Sequence, residues 1–218
     1  YTDSDGLPKP AKDASSSFWD CGNVNYFGKH IMTTQNDETA LGQGSSVKME
    51  TQETMKIIAA GNIFTGTFER DGMGGILTLG RNFECRPNKL KGYYKYTSAK
   101  VSVSKGHLNE GEDDLCSLYI ALTDEQITVN TNKGIYFDPN SSAVIAYGSI
   151  SDEESKGADS FKEFTVDLEY KDLKRIPKYI IVVASSSKYG DYMEGGKGST
   201  MWLDDLELVY PKSMEEVR

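Results

Sequence analysis

Two runs near the C-terminal end of the sequence decide the fold: Ile180-Ile181-Val182-Val183-Ala184, and Thr200-Met201-Trp202-Leu203-Asp204-Asp205-Leu206-Glu207-Leu208-Val209-Tyr210. The first is continuous, apolar, rich in β-branched residues and too short for a helix, which predicts a strand covered on both faces at the centre of a sheet. The loop between the runs carries Tyr189, Tyr192 and four glycines, and leaves no room for a helical crossover. The two strands are therefore expected to be antiparallel or to lie in two stacked sheets. Within that loop Gly195-Gly196-Lys197-Gly198-Ser199-Thr200 imitates a phosphate-binding loop, but Gly198 parts the lysine from the hydroxyl residues. The segment also opens a strand, whereas phosphate binding needs a helix N-terminus, so no nucleotide site is expected.

Working outward, period-two alternation recurs. Val47 and Met49 face away from Lys48 and Glu50; Tyr94 and Tyr96 face away from Tyr93 and Lys95; Cys116, Leu118, Ile120 and Leu122 share a face. Phe164, Val166, Leu168 and Tyr170 alternate with Thr165, Asp167 and Glu169, which reads as the wet face of a strand. Shorter strand candidates cover 63–68, 75–83 and 143–147, Met55–Ala60 fits a strand or one helical turn, and Asp138-Pro139-Asn140 is a turn. Helical patterning is confined to a turn near Lys171–Arg175 and a tail after Pro211. Many short strands without a βαβ rhythm predict an all-β protein, an antiparallel β-sandwich of jelly-roll type with few or no helices. The expected organisation is a linker or N-terminal arm over 1–17, one domain over 18–210 and a C-terminal tail over 211–218.

Acidic residues number 33 against 24 basic, a net charge of −9, which argues against nucleic acid and anionic membranes as partners. No apolar run is long enough for membrane insertion by this segment. Cys21, Cys85 and Cys116 are far apart and lack zinc-site spacing, so they read as small buried hydrophobes, with one disulfide left open. The sequence begins in polar residues, which suggests a chain trimmed from, or lying downstream in, a longer protein.

Ala60–Gly66, Phe83 with Arg86-Pro87, Leu90–Tyr96, Ile145–Gly148, Ile181–Tyr192 and Trp202–Leu208 together resemble the putative carbohydrate metabolism domain of Bacteroidetes, over roughly residues 18–210. The resemblance implies a jelly roll of the galactose-binding and carbohydrate-binding-module type. It also implies an extracytoplasmic setting, at the cell surface or in an outer-membrane lipoprotein, behind an N-terminal immunoglobulin-like domain. The function expected is a non-catalytic carbohydrate-binding or glycan-associated module with an oligo- or polysaccharide as partner. The alternatives are a structural or adhesive module without a sugar site and, lower, a glycoside hydrolase.

Sugars are held by aromatic faces and by polar groups around their hydroxyls. Tyr189, Asp191 and Tyr192 offer that set on one loop, with tyrosines folded back on the core as the alternative. Arg86 is a weaker candidate, and Trp19 is one that could equally pack. Tyr94, Tyr96 and Trp202 are expected in the core, Trp202 because it shares parity with Leu206, Leu208 and Tyr210. Strict alternation also puts Asp204 on that face, where a carboxylate needs a cation or several donors, unless a bulge turns the pair outward. Related jelly-roll modules imply a structural calcium at this place, with Asp205 and Glu50 as the ligands that can be named; no other cofactor is expected. Catalysis finds little support. Thr165-Val166-Asp167-Leu168-Glu169 only partly matches a jelly-roll glycosidase strand, no nucleophile elbow is present, and His30 and His107 read as surface residues.

Overall fold

The computed structural model describes residues 1–25 and 28–212. In chain order the first strands are β1 (Trp19–Asp20), β2 (Val24–Asn25), β3 (Lys29–His30), β4 (Thr33–Asn36), β5 (Ser46–Glu50), β6 (Gln52–Thr54) and β7 (Ile57–Ala59). Then come β8 (Asn62–Asp71), β9 (Gly74–Leu79), β10 (Arg81–Asn82), β11 (Lys89–Thr97), β12 (Ser117–Thr123) and β13 (Ile127–Asn130). The last are β14 (Val144–Ser149), β15 (Ala158–Asp167), β16 (Glu169–Tyr170), β17 (Tyr179–Ser185) and β18 (Thr200–Val209). Helical structure among the described residues is limited to three-residue 3-10 turns. The protein is an antiparallel β-sandwich of jelly-roll type. One sheet runs β13-β9-β8-β17-β12-β14-β16, with β1 added beside β8 and β10 beside β17, and the other runs β15-β11-β18-β5-β4.

The apolar run 180–184 is the inner part of β17, paired on one side with β12 and on the other with β8, and so central in its sheet. The core lies between the sheets. Leu118, Ile120, Leu122, Ile180, Val182 and Ala184 from one side meet Met49, Leu90, Tyr94, Tyr96, Phe164, Val166, Met201 and Leu203 from the other. Tyr94 meets Phe164 edge-on, with ring centroids 6.0 Å apart. Burying each large side chain of this set stabilises by about 1.5–3 kcal/mol before chain entropy is counted. A second apolar cluster covers the opposite face of the larger sheet. β8 hands over from β17 to β9 at Thr65–Gly66, and the β9–β13 limb curls so that Phe64, Leu77, Leu79 and Val129 cluster with Ala121 and Ile181.

Two local expectations change. Met55 and Lys56, both at positive φ, are the turn of a hairpin joining β6 and β7, so the segment is neither one strand nor a helical turn. Residues 1–17 lie on the domain: Leu7 is buried, and Lys9 pairs with Asp20 at 2.8 Å. Buried Asn23 bonds the carbonyls of Pro8 and Thr33 and receives the N–H groups of Met32 and Thr33, tying the segment to the start of β4. Of the tail, residues 213–218 lie outside those described.

Trp202 is the second change. Its neighbours Met201 and Leu203 enter the core, while its own ring lies on the outer face of the five-stranded sheet beneath the ammonium groups of Lys95, at 4.5 Å, and Lys48, at 5.8 Å. The cause is a β-bulge: β11 registers Tyr93 with Asp204 but Lys91 with Glu207, so Asp205 and Leu206 together face Gly92. Asp205 takes φ +47°, and Leu206 and Leu208 return to the core side. Parity therefore reverses at Asp205. The bulge needs Gly92, because a Cβ there would meet Leu206 at 2.8 Å, Phe164 at 3.0 Å and the Asp204 carbonyl at 3.1 Å.

Candidate functional site

The outer face of the nine-stranded sheet carries the groove in which aromatic and polar groups converge. Along β12 the residues of opposite parity to Leu118 and Ile120 point out of the sandwich, and Tyr119 is one of them. Its ring stacks on Phe137 at 4.9 Å and lies 6.0 Å from Tyr147 of β14, while Phe137 and Tyr147 are 6.2 Å apart. Beside this trio a cavity of about 60 Å³ is bounded by Asn62 and Phe64 of β8, Leu77 and Leu79 of β9, Ser117 and Tyr119 of β12, and Asp191. Asp191 belongs to the loop after β17. The residue is partly exposed; its carboxyl borders the cavity and makes no hydrogen bond among the described residues. Burial pushes it up to about 6. Burial, together with Asp191 and Tyr147, also pushes the Tyr119 phenol well above its usual value. A carboxylate free to accept and a half-covered ring are what a polyhydroxylated ligand requires.

The loop itself is held by rings. His107 stacks on Tyr189 at 4.3 Å and 15°, tilts against Tyr192 at 4.3 Å, and Tyr192 stacks on Tyr136 at 3.9 Å. His107 Nδ1 lies 3.0 Å from Glu194 Oε2. Glu194 is fully buried and also accepts the N–H groups of Lys105, His107 and Leu108. Burial alone would raise its carboxyl, but the bonds from His107 and these amides hold it below the ordinary range. Gly190 allows the loop to sit down, because a Cβ there would run into Ala60. Tyr189 and Tyr192 thus pack neither on the core nor free in solvent: each has a face taken by another ring.

The glycine-rich stretch does bind an anion, the protein's own. Asp114 Oδ2 accepts Gly196 N–H at 2.8 Å and Ser187 Oγ–H at 2.6 Å, and Oδ1 accepts Leu115 N–H at 2.8 Å. Burial raises Asp114 and these bonds oppose the rise. The amide that imitates a phosphate loop is therefore occupied from within.

The remaining sequence candidates lie elsewhere. Arg86 bonds the carbonyl of Arg175 and sits 5.8 Å from the Tyr170 ring, near the start of β17, whereas the 189–192 loop follows its end. Trp19 is half-buried on β1, opposite Thr65. Asp205 and Glu50 are not brought together. Glu50 registers with Thr200, five residues from Asp205, or roughly 17 Å along the strand, and Glu50 pairs with Lys48. Asp204 is buried on the outer face and is satisfied by the N–H groups of Ala40 at 2.8 Å and Asp205 at 3.0 Å. These residues do not fit a calcium ion, and no group of three His, Cys, Asp or Glu suited to a metal occurs among the described residues. The cysteines are free; burial raises the thiols of Cys21 to about 11 and Cys116 to about 12, and Cys85 is exposed. His107 is exposed yet held by ring and carboxylate.

Tyr119, Phe137, Tyr147, Tyr136 and Asn62 were not singled out as site residues by the sequence. The signal for Tyr119 was present, since it opposes the parity of Leu118 and Ile120; what alternation does not tell is that the face opposite the core is partly roofed. No helix among the described residues is long and apolar enough to cross a membrane.

Comparison with known proteins follows this geometry. A family described as putative carbohydrate metabolism domain matches residues 7–209. Among solved structures, a putative glycoside hydrolase from Bacteroides thetaiotaomicron is 26% identical with a TM-score of 0.67, over 84% of this chain and 58% of that one. One from Bacteroides vulgatus is 24% identical with a TM-score of 0.66, over 82% of this chain and 77% of that one. The chain thus spans under two thirds of the first of these proteins. No curated protein matches it.

Proposed function

Because the chain belongs to the putative carbohydrate metabolism domain family, we propose that it binds an oligo- or polysaccharide in the outer-face groove and does not cleave it. The observation that carries this reading is the unpartnered, partly exposed carboxyl of Asp191 lining the same cavity as Tyr119, whose ring packs with those of Phe137 and Tyr147. A cavity of about 60 Å³ holds one or two waters, so it takes a hydroxyl or hydroxymethyl arm while the sugar ring lies across the aromatic residues. The surrounding polypeptide is proposed to be an extracytoplasmic, surface-anchored protein of a bacterial envelope, with an immunoglobulin-like domain before this one.

Affinity electrophoresis on soluble plant and host polysaccharides tests the reading. Retardation by at least one glycan is expected, weakened tenfold or more by Tyr119→Ala and by Asp191→Asn. Silence across the panel would favour a structural or adhesive module. A second reading, glycoside hydrolysis, draws support from the similar Bacteroides proteins and from a carboxyl raised to about 6, as a general acid is. Hydrolysis needs two flanking carboxylates, and Asp191 is the one carboxylate lining this cavity. New reducing ends appearing during incubation with a bound glycan would establish hydrolysis and displace the first reading.

A further inference from the structure

Consecutive residues of β8 face two different spaces. Phe64 lines the outer-face groove, and Ile63 lines a cavity of about 830 Å³ on the sandwich side. That size lies within the range of small-molecule sites. Ile63, Val47 and Leu203 give the cavity apolar surface, Trp19 a half-buried indole, Gln35 an amide and Asp205 a carboxylate, while Pro8 to Ala11 of the N-terminal segment form one side. Two of these groups have unused hydrogen-bonding capacity. The side chain of Asp205 has no hydrogen bond or ion pair among the described residues, and the bulge holds it exposed at φ +47°, a conformation few non-glycine residues adopt. The indole N–H of Trp19 likewise donates to no described group. The one lysine lining the space, Lys9, is committed to Asp20 at 2.8 Å, so an anionic ligand would face Asp205 without a free lysine.

We propose that this cavity is a second carbohydrate site, taking a short neutral oligosaccharide that packs on the Trp19 indole and gives hydroxyl hydrogen bonds to Asp205. It goes beyond the outer-face reading and shares no residue with that groove, so either site can fail alone.

The protein has two tryptophans, and Trp202 lies on the outer face of the five-stranded sheet, so a Trp202→Phe background makes emission report Trp19. Cellotriose, xylotriose, maltotriose and galactotriose are titrated against the full chain in that background, with a galacturonic acid trimer as the anionic comparison. A saturable change in Trp19 emission with at least one neutral trimer is expected. It should weaken tenfold or more in Asp205→Asn and Asp205→Gly, and persist in the Tyr119→Ala, Asp191→Asn double variant. Glycine adopts φ +47° without strain, so the Gly variant removes the carboxylate while keeping the bulge. Absence of any change with the four neutral trimers overturns the proposal. So does a change that the double variant abolishes and the Asp205 variants leave intact, or a stronger response to the anionic trimer.

Discussion

Asn23 uses both ends of its amide, receiving two backbone N–H groups and bonding two carbonyls in a buried setting. Leaving those groups unpaired costs far more than a typical exposed bond, so Asn23→Ala is expected to destabilise by about 3 kcal/mol in urea unfolding. A loss under about 1 kcal/mol would mean that water replaces the side chain. Asp191 makes a different demand, because burial raises its carboxyl to about 6 from the usual 3.8. A carboxyl raised on folding favours the folded state fully below its unfolded pKa, and that contribution is lost as pH rises through the folded one. Asp191 therefore makes the protein less stable between pH 4 and pH 6 as pH rises, and Asp191→Asn should flatten this part of the stability profile. Ligand binding should run the other way, since the ionised form is the better acceptor: glycan retardation is expected to weaken as pH falls below about 6 and to lose that dependence in Asp191→Asn. Retardation unchanged from pH 7 to pH 5 would remove Asp191 from the site.

At the scale of elements, regular strands were legible and irregular ones were not. Tyr94, Tyr96, Phe164, Val166 and Leu168 are buried where alternation puts them, because β11 and β15 keep to a two-residue period over these positions. Trp202 was misplaced because an inserted residue has no signature in hydrophobicity; it shows only in the pairing with β11. Asp204-Asp205 was recognised as the place where a cation or a bulge must be, and the backbone supplies both the bulge and the donors. The site was half legible. Asp191 could be found from the loop's composition, but Tyr119 and Phe137 come together through a roofed outer face that depends on β8 changing partners. Gly92→Val is expected to destabilise by about 3 kcal/mol or more, since the added branches must displace Leu206, Phe164 or the Asp204 carbonyl. Near-normal stability in thermal melts would mean that the bulge relaxes around the side chain.

For the whole molecule, a net charge of −9 and grooves short of free cations favour neutral ligands over anionic ones. A saturating glycan at about a hundred times its Kd should add about 2.7 kcal/mol of stability, raising the melting temperature by roughly 5–10 °C. Melts with chelator and with added calcium should superimpose, because Asp205 and Glu50 lie far apart along β18 and β5; a calcium-dependent rise would point to ligands other than these. The extra residue at Asp205 also has a genetic consequence. Ahead of it, odd-numbered side chains of β18 face the core; after it, even-numbered ones do. One codon therefore accounts for the change of parity. A relative that has lost that codon should keep its apolar and polar residues unchanged on both sides of the gap, because Met201-Trp202-Leu203-Asp204-Leu206-Glu207-Leu208 alternates without interruption once Asp205 is gone.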